Sequence, residues 1–92
     1  MKQLFIKIQP IVFNYIGYIY DTETKKQEDI RVSSHYDDII NTALAYNIEE
    51  IILVGNPKYT TKIKEFILNS EKQVSTNFGY NINIKVTQQE SK

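Results

Sequence analysis

Cysteine and tryptophan are both missing from this 92-residue chain, histidine occurs once, and glycine and proline number three and two. Without cysteine there is no disulfide, no thiolate chemistry and no zinc site of the cysteine type. Net charge is lacking too, because 11 Lys+Arg balance 11 Asp+Glu. A dedicated polyanion-binding domain would be basic. Neutrality also removes the repulsion that keeps small proteins apart, which eases association. No run approaches the roughly 18 apolar residues of a membrane span. The apolar Leu4-Phe5-Ile6 is broken by Lys7 and Gln9-Pro10 too soon for a signal-peptide core. The expectation is a soluble, cytoplasmic protein.

What is present is a modest core: 41% hydrophobic and 12% aromatic residues, seven of them tyrosine. That supports one domain, read over residues 1–86, with residues 87–92 as a polar C-terminal tail. The dense apolar run Leu4 to Gln9 predicts a strand covered on both faces, ended or bent by Pro10. Ile11 to Tyr20 predicts a second strand, in which Gly17 marks a bulge or a close backbone approach. After the polar turn Asp21 to Lys26, Glu28 to Ser33 alternates Ile30 and Val32 against Asp29, Arg31 and Ser33. That pattern predicts an edge strand in a hairpin with the second.

Ser34, with Asp37 three residues on, predicts the cap of a helix from His35 to Tyr46. Its apolar face is Ile39, Ile40, Ala43 and Leu44, and Asn47 is its left-handed C-cap. Glu50 to Val54 is the clearest buried strand, closed by Gly55-Asn56-Pro57. Thr60 or Thr61 would cap a second helix with Ile63, Phe66, Ile67 and Val74 on its apolar side, and Gly79 ends that region. Asn81 to Val86 alternates Ile82, Ile84 and Val86 with polar residues, as a last strand does. The order β-β-β-α-β-α-β, with right-handed crossovers, predicts an α/β domain. Its five-stranded sheet is mixed, with a meander at one edge and parallel strands at the other. Two helices cannot cover five strands on two sides, so part of one face should be bare and serve as an interface.

This order resembles the minimal ribonuclease H-like fold, in its Holliday-junction resolvase branch. That branch opens with an Ile-Asp-Pro-Gly strand, where this chain has Ile8-Gln9-Pro10-Ile11. Its next strand carries Gly-Tyr before apolar residues, here Gly17-Tyr18-Ile19. Ile51 to Pro57 looks like the Val-Gly-x-Pro strand end of the small bacterial members. The resemblance implies a carboxylate cluster holding two metals. This chain departs from it, with Gln9 at the first position, Gly55 and Asn56 at the second, and only Glu90 near the third. It implies a ribonuclease H-like shell without catalytic carboxylates, metal or cofactor.

Among individual residues, His35 reads as an ordinary residue at a helix start. Asp37-Asp38 and Glu49-Glu50 lie a helix length apart, roughly 15 Å, as solvated acidic edges. Lys58, Thr60, Thr61, Lys62 and Lys64 gather around the strand-to-helix turn 55–61 and the helix after it, where a phosphate or a nucleic-acid backbone could sit. Alternation puts Ile16, Tyr18 and Tyr20 on one strand face and Phe13, Tyr15 and Ile19 on the other, so one aromatic set is exposed. Tyr15, Tyr18, Tyr20, Asp37 and Asp38 are the candidate interface residues. Three functions follow. The first is a non-catalytic module that binds a protein partner or itself. The second is a degenerate ribonuclease H-like nucleic-acid binder, and the third a small-ligand or phosphate-binding domain using the 55–61 turn.

Overall fold

In a computed structural model the chain forms five strands and two helices. They are β1 (Lys2–Lys7), β2 (Asn14–Asp21), β3 (Gln27–Ser33), α1 (Tyr36–Ala45), β4 (Glu50–Val54), α2 (Pro57–Phe78) and β5 (Lys85–Gln89). The structure describes residues 1–9, 14–33, 35–78 and 84–90, and of residues 36, 37 and 70–78 the backbone only. The expectations for Pro10, Ile11 to Phe13, Ser34, Gly79 and Asn81 to Asn83, and for the side chains of Asp37 and Val74, lie outside the described residues.

The sheet order is β3-β2-β1-β4-β5. β1 pairs antiparallel with β2, and β2 with β3, while β4 runs parallel to β1 and β5 parallel to β4. The expected mixed sheet is therefore present, with its meander at one edge and its parallel strands at the other. Both crossovers, β3 to β4 and β4 to β5, step the same way across the sheet. Two right-handed steps in one direction place both helices on the same face. Ile39, Ile40 and Ala43 of α1 and Ile63 and Ile67 of α2 accordingly share one core with Leu4, Ile6, Ile19, Val32, Ile51, Leu53 and Val86.

β2 keeps strict alternation. Tyr15, Gly17 and Ile19 point to the helices, and Ile16, Tyr18 and Tyr20 to the other side. Gly17 makes no bulge, since it pairs in register with Ile6 and Ile30. It is the close approach instead: a Cβ there would run into the carbonyl oxygen of Phe5. β1 is central but covered on one face only, contrary to the two-sided cover its apolar run suggests. β4 is the strand buried on both sides, with Ile51 and Leu53 under the helices and Ile52 on the opposite face only 4% exposed.

The helix ends show where local chemistry decides. At the C-terminus of α1, Asn47 takes φ 56°, as expected. The Asn47 N–H donates to Leu44 O (3.3 Å) and the Ile48 N–H to Ala43 O (2.8 Å), which together form a Schellman motif. The α1 N-cap position is His35, one residue after the expected Ser34. α2 starts earlier than the threonines predict. Asn56 Oδ1 accepts the Lys58 N–H at 2.9 Å, and Pro57 opens the helix, where its missing N–H costs nothing. Thr60 is thereby a buried helix residue rather than a cap. Phe66 and Leu44, assigned to apolar faces, stand partly in solvent. β5 runs on through Gln89, so residues 87–89 belong to the sheet and not to a tail.

Candidate functional site: the uncovered face of the sheet

With both helices on one side, the opposite face of the sheet carries, among the described residues, only its own side chains. The registers order them in three rows of five. The middle row runs Asp29, Tyr18, Phe5, Ile52, Thr87 from the β3 edge to the β5 edge. The row toward the β1 C-terminus runs Arg31, Ile16, Lys7, Val54, Gln89. The third runs Gln27, Tyr20, Gln3, Glu50, Lys85.

The first two rows are largely apolar, with Asp29 and Arg31 at the β3 margin and the exposed Lys7 between Ile16 and Val54. Phe5 and Tyr18 stack with ring centroids 4.7 Å apart and an interplanar angle of 20°. Ile16 is 66% exposed, the most exposed of the large hydrophobic residues on the face. Lys7, Arg31 and Asp29 border a shallow depression of about 690 Å³ whose floor is apolar.

Glu50 anchors the third row. It is 8% exposed, and its carboxylate accepts Gln3 Nε2 and Thr87 Oγ1, each at 2.8 Å. Lys85 Nζ stands 3.6 Å away. These hydrogen bonds, Gln3 first, hold its pKa below the ordinary glutamate value against the opposing effect of burial. The network ties β1, β4 and β5 together and leaves the carboxylate ionised.

The candidate residues scatter over the molecule. Tyr18 and Tyr20 stand half-buried on the uncovered face, while Tyr15 is buried in the core beneath the helices and offers no surface. Asp38 lies half-buried in the first turn of α1, and the Asp37 side chain lies outside the described residues. Lys58 is exposed at the start of α2, with its ammonium 5.9 Å from the Tyr59 ring centroid. Lys62 follows one turn later on the same side. Lys64 falls about 200° round the helix from it at 100° per residue, so the three cations do not form one patch. Thr60 is 1% exposed, and its hydroxyl oxygen accepts Gln88 Nε2 at 2.8 Å, a donor that also reaches Thr61 Oγ1 at 3.0 Å. Both threonines thus hold β5 to α2.

The positions singled out by the ribonuclease H-like resemblance do come together. Gln9, Asn56 and Glu90 line one hollow of about 490 Å³ beyond the C-terminal ends of β1 and β4. Among the described residues Glu90 is its single carboxylate, and no three His, Asp or Glu converge as metal ligands do. Among the described residues no helix is long and apolar enough to cross a membrane.

Sequence reasoning found Tyr18, Tyr20 and Ile16 together on this face but not Phe5 and Asp29 as their neighbours. The signal for the first three was in the β2 alternation. The other two needed the strand register. Compared with known proteins, the chain matches no family, no curated protein and no solved structure.

Proposed function

We propose that the chain is a small non-catalytic interaction module that binds a protein through the uncovered face of its sheet. One observation carries this reading. Phe5, Ile16, Tyr18 and Val54 stand at least partly exposed, around the buried Ile52, on a single face that neither helix covers. Burying such a strip against a partner returns roughly 25 cal/mol for each Å² removed from water. Aromatic residues at the centre of a contact carry much of its energy. The formal charge of zero and the dispersed lysines of α2 favour a protein over a polyanion.

The test compares the wild-type chain with an Ile16→Asp variant as immobilised baits for an extract of the cells that make it. A partner retained by the first and lost to the second is the expected outcome. Equal retention by both overturns the reading.

A second reading has one observation in its favour. The mixed sheet and the hollow shared by Gln9, Asn56 and Glu90 fit a ribonuclease H-like shell that has kept nucleic-acid binding. Salt-sensitive binding of single-stranded or branched nucleic acid, weakened by Lys62→Glu, would support it.

A further inference from the structure

We infer that the uncovered sheet face docks on the same face of a second copy of this chain, with the strands of the two sheets antiparallel. The inference rests on the interaction reading above and names its partner.

A two-fold axis lying between the sheets and perpendicular to the strands sets each strand over its own counterpart, with its direction reversed. Placed between the two apolar rows, that axis puts each row over the other. The registers then decide what meets what. Arg31 faces the partner's Asp29, and Asp29 faces the partner's Arg31. Ile16 faces the partner's Tyr18, and Val54 lies over the partner's Ile52, which is 4% exposed and adds little contact area. Lys7 stands opposite the partner's Phe5, whose ring is stacked on Tyr18. The two charges of β3 meet opposite charges, and Ile16 and Tyr18 meet each other. No other sliding of the two faces along the strands gives this match. Centred on the middle row, Arg31 would face the partner's Gln27 and Val54 the partner's Glu50, which leaves the cation of β3 unpaired.

The same arrangement accounts for Ile16, which is 66% exposed in the single chain. Sheets packed in this way stand about 10 Å apart, forming a sandwich with helices on both outer sides. Two facing rows of five side chains fall well short of the roughly 20–30 residues a side of a standard interface. The dimer is therefore weak and depends on concentration.

The experiment is sedimentation equilibrium over a wide concentration range, on the wild-type chain and on four variants whose folding is checked by circular dichroism. The wild-type chain should show a monomer–dimer equilibrium, and Ile16→Asp should be monomeric. Asp29→Arg alone and Arg31→Asp alone should each weaken the dimer about tenfold or more, because each sets two like-charged pairs across the axis. The double variant, Asp29→Arg with Arg31→Asp, restores opposite charges and should recover most of the wild-type affinity. A wild-type chain that stays monomeric at every concentration overturns the inference. It leaves the interaction reading to the bait comparison with Ile16→Asp. A dimer indifferent to Ile16→Asp forms through another surface and overturns the inference too, again leaving the interaction reading to the bait comparison. A dimer lost to Ile16→Asp but unaffected by either charge reversal overturns the antiparallel register.

Discussion

Phe5 and Tyr18 are paired in register across β1 and β2 and stack on the side of the sheet that has no helix. Two rings held in this way are already ordered, so a partner that lands on them pays little further side-chain entropy. Beside them Ile16 contributes apolar area that the fold itself does not use. Ile16→Asp should therefore change thermal stability by no more than about 0.5 kcal/mol while abolishing partner retention. Tyr18→Asp should do both, losing the stack at about 0.5–1.5 kcal/mol along with the contact. Melting curves and retention measured on the same two proteins check the separation.

Gly17 lies between two paired strands, and a Cβ there would meet the backbone of Phe5 and Ile6. Backbone held by ladders on both sides has little room to yield. Gly17→Ala should destabilise the chain by about 1–3 kcal/mol, read as a lower urea midpoint with an unchanged slope.

Thr60 is assigned to packing and to its bond from Gln88. Thr60→Val keeps the shape and removes the acceptor, while Gln88 retains Thr61. The expected loss is about 1 kcal/mol of stability, with partner retention intact. A Thr60→Val protein of wild-type stability that loses a bound phosphate would instead return attention to the 55–61 turn.

The pKa of Glu50 is lowered by the hydrogen bonds from Gln3 and Thr87. A carboxylate depressed in the folded state contributes its stability above the unfolded value, ordinarily about 4.5. That contribution is lost as pH falls through the lower folded value. Unfolding free energy should therefore drop below pH 4.5, and Glu50→Gln should flatten this part of the profile. Chemical unfolding at a series of acidic pH values checks the sign.

Much of this arrangement was written in local patterns. The alternation in β2 separated Tyr15, Gly17 and Ile19 from Ile16, Tyr18 and Tyr20, and the element order implied the mixed sheet. The start of α2 was legible but misread. Asn56-Pro57 is a cap followed by a first-turn proline, and the later threonines drew attention away from it. β5 was placed early because Ile82, Ile84 and Val86 carry the apolar alternation. The strand continues in polar residues, which an edge strand accommodates. The Glu50 network was not legible at all, because Gln3 and Thr87 lie 47 and 37 residues away and meet it only through the register.

The most direct measurement is hydroxyl-radical footprinting of the chain, dilute and pure against the same chain in a concentrated extract of the cells that make it. Radicals mark exposed aromatic and aliphatic side chains whatever the partner is. The account predicts protection of Phe5, Ile16 and Tyr18 in the extract, with Lys58, Tyr59 and Lys62 unchanged. Protection confined to the start of α2, with Ile16 labelled equally in both samples, would contradict it.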